Sequence, residues 1–201
     1  MELHIIRHGQ SEGNVTRRDL PDAELTELGR SQAAVVGERL RDTGFDAIIA
    51  SPLARAIDTA MPLARHRGLP VLIWKDTYEV RSRGPYTGPA LSELRRRFPE
   101  ARFGDDMEPD GWIYPGDETP MTGQQRAQRV YDRLRDRFDG KRVALFAHGG
   151  FNRRLLIAAL GLPYDSGIYF YQSNGCMYKL TENTDTTALH HIGDIPAGAI
   201  I

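Results

Sequence analysis

Two apolar runs in this chain end in the same way. Leu3 to Ile6 leads into Arg7-His8-Gly9, and Val143-Ala144-Leu145-Phe146-Ala147 leads into His148-Gly149-Gly150. The first run, with its strand spanning residues 2–7, is too short and too β-branched for a helix, and 142–147 reads as a strand for the same reason of length. A fold for this chain must therefore place two histidines, each followed by glycine, at the ends of two buried strands.

The remaining elements alternate around them. The Gly9–Gly13 region reads as a loop. Thr26 is a good N-cap for a helix running to about Thr43, with Ala33, Val36, Gly37 and Leu40 at helical spacing and Gly44 closing it. Ala47 to Ala50 is a second strand. Ser51-Pro52 then reads as cap and first position of a helix with an Ala56, Ala60, Leu63 and Ala64 stripe, kinked by Pro62. Val71 to Trp74 is a third strand and Ser92 to Phe98 a short helix, with Leu91, Leu94 and Phe98 inward and Arg95–Arg97 outward. Phe103 to Gly123 has no periodicity, which suggests a functional loop or a disordered one. Its acids Asp105, Asp106, Glu108, Asp110, Asp117 and Glu118 are read as a lid or rim, most of it expected to face water. Trp112 and Tyr114 either cover an apolar part of a substrate or pack the loop. Gln124 to Phe138 is an amphipathic helix and about Phe151 to Leu160 another. Met177–Leu180 and Ala188–Ile192 read as final strands, in a hairpin around Thr184-Asp185.

Strands alternating with helices argue an α/β layered domain with a largely parallel sheet, and no repeat or linker divides residues 1–201. Ligands of such sheets bind at the carboxyl ends of the strands, where strand order reverses. His8, His148 and Ser51 all belong to that end.

Bulk properties narrow the function. The net charge of −1 leaves no global field for nucleic acid or a membrane surface, so any attraction for anions must be local. The single cysteine, Cys176, excludes an intrachain disulfide, offers no zinc pattern and agrees with a reducing, cytoplasmic setting. No signal-like leader and no apolar run of membrane-spanning length is present, so a soluble protein is expected.

A histidine can be a base, a metal ligand or a nucleophile. No carboxylate or thiol sits at ligand spacing beside His8 or His148, so no metal site is expected. Arginine sits there instead: Arg7 is adjacent to His8, and Arg55 lies on the first turn after the second strand. The guanidinium fork suits phosphate oxygens, and nearby cations disfavour protonation of an imidazole, leaving His8 neutral and nucleophilic. Gly149-Gly150 opens a helix whose free N–H groups can hold an anion. These pieces make a phosphoryl-transfer site without a metal or other cofactor.

In this order Arg7-His8-Gly9, Ser51-Pro52-Leu53-Ala54-Arg55-Ala56 with Thr59-Ala60, and His148-Gly149-Gly150 resemble the histidine phosphatase superfamily, also called the phosphoglycerate mutase-like family. Leu25-Thr26 with Gly29, Gln32 and Ala33 is similar to a further family segment, so the resemblance spans nearly the whole chain. It implies a three-layer α/β/α sandwich with a mostly parallel central sheet. It also implies that His8 is phosphorylated in turnover, that Arg7, Arg55 and His148 hold the transferring group, and that an acid after the third strand protonates the leaving oxygen. Glu79 is the candidate acid, with Asp76 as the alternative. Asn14 would contact phosphate and Gln10 line the pocket mouth. His148 is expected to be protonated in the complex.

The leading reading is a metal-independent phosphatase that hydrolyses small phosphomonoesters. The alternatives are a phosphoglycerate mutase, which shares these residues but is usually longer between the acid and the second histidine, and an idle module that binds phosphorylated ligands. Arg81 and Arg83 follow the candidate acid and either hold a second anionic group or are solvated. His4 is expected on a strand face, His66, His190 and His191 in solvent or packing, and Cys176, Trp74 and Phe146 in the core. Oligomeric state is open, a homodimer included.

Overall fold

The computed structural model describes residues 1–16, 18–81, 83–183 and 185–195. Among them the strands are β1 (Glu2–Arg7), β2 (Ala47–Ala50), β3 (Val71–Ile73), β4 (Tyr86–Thr87), β5 (Ala101–Phe103), β6 (Ile113–Tyr114), β7 (Arg142–Ala147), β8 (Met177–Glu182) and β9 (Thr187–Gly193). The α-helices are α1 (Glu12–Thr16), α2 (Glu27–Leu40), α3 (Ala54–Arg67), α4 (Leu91–Arg97), α5 (Pro120–Arg137) and α6 (Gly149–Ala159).

Seven strands form one sheet in the order β5-β3-β2-β7-β1-β8-β9. The first five are mutually parallel, and β8 runs antiparallel between β1 and β9. β7 lies between β1 and β2, so strand order reverses there and the ends of β1, β2 and β7 come together.

Alternation along the strands builds two cores. Leu3 and Ile5 of β1, Ala47 and Ile49 of β2, and Val143 and Leu145 of β7 pack with α5 and α6 through Ala127, Val130, Leu134, Phe151 and Leu155. Their neighbours Ile6, Ile48, Ala50, Ala144 and Phe146 face α2 and α3 through Val36, Leu40, Ile57, Ala60 and Leu63. Successive strand side chains point to opposite faces, so both faces are covered and the fold is a three-layer α/β/α sandwich. A fully buried leucine or isoleucine is worth about 1.5–3 kcal/mol, against about 0–1 kcal/mol for an exposed ion pair. The two cores, and not surface pairs such as Arg41–Glu38, hold the sheet.

Several local expectations change. Thr26 caps α2 through the Gly29 N–H, but the helix ends at Leu40, short of Thr43, with Arg41 rather than Gly44 at its end. α3 starts at Ala54 and runs through Pro62. Its first N–H is taken by Asp22 Oδ1 at 2.7 Å, so Ser51 is not its cap. Part of the region read as a loop after β1 is the short α1. α5 begins at Pro120, before Gln124, because Thr119 and Thr122 form a capping box. The turn residue Thr184 lies outside the described residues.

The aperiodic stretch is organised from outside itself. β6 pairs with β4, and Trp112 and Tyr114 are 1% and 2% exposed. Most of its acids face water, as expected, and Glu118 is the exception. Glu118 is turned inward against Arg126, the two side chains 7% and 3% exposed, with Arg126 also donating to the carbonyls of Asp76 and Tyr78 at 2.7 and 2.9 Å. The guanidinium lies 3.7 Å from the centre of the Tyr78 ring. This buried cation ties α5 to the segment that carries Glu79.

Candidate active site

The loop after β1 packs so tightly on the start of α2 that side chains are excluded. A Cβ on Gly9 would overlap the Gly29 carbonyl, and one on Gly29 would overlap that of Gln10. Gln10 does not reach the pocket described below. Its backbone N–H donates to Gln32 Oε1 at 2.8 Å, and its side-chain oxygen accepts from the Thr26 hydroxyl at 2.9 Å. These contacts fix where His8 emerges.

His8 is buried, and its Nδ1 lies 2.6 Å from the Gly9 carbonyl. A carbonyl only accepts, so Nδ1 carries the proton and Nε2 a lone pair. Arg55 Nε donates to that Nε2 at 3.3 Å, and Arg55 Nη1 donates to the Pro21 carbonyl at 3.0 Å. Burial pushes the His8 pKa well below its ordinary value, and the Arg55 and Arg7 guanidiniums push it further. The structure thus presents a neutral imidazole whose Nε2 is unprotonated and faces Arg55.

His148 ends β7 with its ring centre 5.1 Å from that of His8. Its Nε2 is 2.7 Å from the Ser51 hydroxyl, which also accepts from the Leu53 N–H, and either partner of the His148–Ser51 contact can be the donor. His148 Nδ1 has no partner among the described residues, and it carries the imidazole proton when Ser51 is the donor. Burial, then Arg55, His8 and Arg7, hold the His148 pKa well below its ordinary value. Arg7 donates to the Gln172 carbonyl at 2.5 Å while its buried Nε is also unpartnered. An unpaired buried donor costs about 1–3 kcal/mol. The Arg7 Nε–H is such a donor and suits an anion that accepts from it.

Glu79 lies across the start of α6. Its carboxylate accepts from the N–H groups of Gly150 at 3.2 Å and Phe151 at 2.9 Å, and from its own neighbour Val80 at 2.7 Å. The anion that the Gly149-Gly150 turn was expected to bind is therefore, at Gly150, this carboxylate. The Gly149 N–H stands outside that arrangement, and Gly149 packs against Arg7, where a Cβ would sit 3.4 Å from Nε. Glu79 and Arg55 line one cavity of about 150 Å³, and Asp76 is not part of its wall.

Asn14 is exposed, and its carboxamide oxygen accepts from Ser11 and from Asn174 Nδ2 at 3.0 Å. Asn174 also donates to the His8 carbonyl at 3.1 Å, so this pair braces the loop behind the nucleophile. Arg81 lines the cavity and donates to both oxygens of Asp19 at 2.7 and 2.6 Å. Arg83 is not part of its wall; it is 66% exposed and lies 3.6 Å from Asp19. Ser51, Gln172, Asn174, Asp19 and the Arg126–Glu118 pair carried no local sequence signal for these roles, because each acts on a partner distant in the chain.

A family model, the histidine phosphatase superfamily (branch 1), matches residues 3–195. The chain belongs to the histidine phosphatase superfamily. Within the superfamily it is 33% identical over 175 residues to glucosyl-3-phosphoglycerate phosphatase of Mycolicibacterium vanbaalenii, covering 82% of this chain and 76% of that one. It is 26% identical to phosphoserine phosphatase 1 of Hydrogenobacter thermophilus, over 94% of this chain and 86% of that one. The structure of a mycobacterial glucosyl-3-phosphoglycerate phosphatase complexed with VO3 superposes with a TM-score of 0.67 at 25% identity, covering 96% of this chain and 97% of that one. These three relatives are phosphatases, and this histidine phosphatase has the same layered fold. Among the described residues no helix is long and apolar enough to cross a membrane.

Proposed function

We propose that this histidine phosphatase hydrolyses small phosphomonoesters through a phosphohistidine on His8, with no metal or other cofactor. The observation that carries the reading is the His8 ring itself, with Nδ1 tied to the Gly9 carbonyl and Nε2 facing Arg55 Nε at 3.3 Å. Nε2 attacks phosphorus while the bond to the ester oxygen breaks, and Glu79 in its acid form gives that oxygen a proton. Water then attacks the phosphohistidine, Glu79 takes a proton from it, and inorganic phosphate leaves as Nε2 is released. Arg7, Arg55 and the Nδ1–H of His148 meet the charge on the phosphoryl oxygens. His148 can donate there while neutral when Ser51 gives its proton to the other ring nitrogen.

Such preorganised charge is usually the largest catalytic contribution, and proton transfer by Glu79 adds about 10²–10⁴-fold. The mutase reading is weaker, because the carboxylate of a phosphoglycerate needs a free cation and Arg81 is already paired with Asp19. The lone, buried Cys176 fits a reducing, cytoplasmic setting.

Hydrolysis of p-nitrophenyl phosphate in EDTA tests the activity, and acid-quenched labelling with ³²P-phosphomonoester tests the intermediate. Full turnover by His8→Ala, or loss of wild-type turnover in EDTA that added metal restores, sinks the reading.

A further inference from the structure

The cavity beside Arg55 and Glu79 has walls that say more about the leaving group. Four aromatic residues contribute to it: Tyr78, Tyr86, Trp112 and Tyr114. They hold one another in place, with Tyr78 stacked on Trp112 at 25° and Tyr86 edge-on to Trp112 at 73°. The cavity measures about 150 Å³. A closed apolar cavity of about that size accommodates a benzene-sized ring, and this one also opens to solvent and has charged groups at its wall.

Its charged groups are all engaged. Arg55 serves His8 and the Pro21 carbonyl, and the Glu79 carboxylate is held by backbone N–H groups. One nitrogen of Arg81 contacts both oxygens of Asp19, and Arg83 flanks the same carboxylate. Besides Asp19, Tyr114 holds Arg81: the guanidinium lies 5.5 Å from the centre of the Tyr114 ring, and the Arg81 carbonyl accepts from the Tyr114 hydroxyl.

We propose that this cavity binds an uncharged, ring-sized leaving group, and that Asp19 sets specificity by neutralising Arg81 and so rejecting substrates with a second anion. The proposal rests on the phosphomonoesterase reading for the identity of the site but not for its test. A free, partly buried guanidinium at the cavity wall would attract a carboxylate or second phosphate. With Asp19 in place, such a group meets a carboxylate first, and the charge of Arg81 is already offset by the Asp19 contact on one of its nitrogens.

The test uses two phosphonates that are not hydrolysed, benzylphosphonate and 3-phosphonopropionate, which offer a ring or a carboxylate behind the same head group. Calorimetry on the wild type is expected to show benzylphosphonate bound about 10-fold tighter or more. Asp19→Asn should narrow that ratio about 5-fold or more by improving 3-phosphonopropionate, with circular dichroism confirming the fold. Equal affinities in the wild type, failure of both to bind, or a ratio that Asp19→Asn leaves in place overturns the proposal. A wild type with the expected preference that hydrolyses no phosphomonoester keeps the subsite and loses the hydrolase reading. Turnover without the preference does the reverse.

Discussion

The Glu79 carboxylate accepts the Gly150 N–H at 3.2 Å, so the candidate acid is held by the first turn of the helix that follows His148. The glycine is required by this contact, since a Cβ at position 150 would lie 2.6 Å from Glu79 Oε1. That oxygen is the far end of a flexible side chain, so Gly150→Ala moves the carboxylate and leaves the backbone in place. The variant is expected to lose about 10–100-fold in kcat with a stability change under about 1 kcal/mol. Steady-state kinetics beside urea unfolding measures both. Loss of stability in step with activity would mean that the helix, not the acid, had been disturbed.

Arg126 is buried and its charge is met by Glu118, with both contacts at 2.7 Å. Glu118→Ala leaves that guanidinium uncompensated and should cost about 3–5 kcal/mol in urea unfolding. Because Arg126 also holds the carbonyls of Asp76 and Tyr78, kcat should fall at temperatures where the variant is still folded. A loss below about 1 kcal/mol, the range of an exposed pair, would contradict the buried geometry.

Stability should also depend on pH through His8 and His148. Burial first, then Arg55, depresses both native values. Below the ordinary histidine value of about 6.5 the unfolded chain binds protons that the native chain does not. The stabilisation from keeping them neutral is therefore fully present above about pH 6.5 and is lost as pH falls below it. Urea unfolding between about pH 8 and pH 5 should show an acid limb, shallower in His8→Asn, which removes one of the two groups. A slope unchanged by that substitution would assign the acid limb to other groups.

The parts of the site that were legible in the sequence are those written into single elements. Apolar runs ending in His8 and His148 specify strands covered on both faces, and a parallel arrangement puts both ends at one sheet edge. Arg55 follows the second strand closely enough to share that edge. The aperiodic 103–123 stretch read differently because its order comes from elsewhere, with β6 paired to β4 and Glu118 to Arg126.

By itself, then, the sequence determined the layered α/β fold, the strand-end histidines and the arginines beside them, since period, length and adjacency are local properties of a chain. Tertiary structure decided what each polar group faces. Ser51 meets His148 from 97 positions away, Glu79 meets Gly150 from 71, and Arg81 meets Asp19 from 62. Hydrogen bonds and ion pairs act over a few ångströms, and only the folded chain sets which distant groups come within that range. For that reason a serine that looked like a helix cap orients a histidine, and an arginine that looked free is engaged by an aspartate.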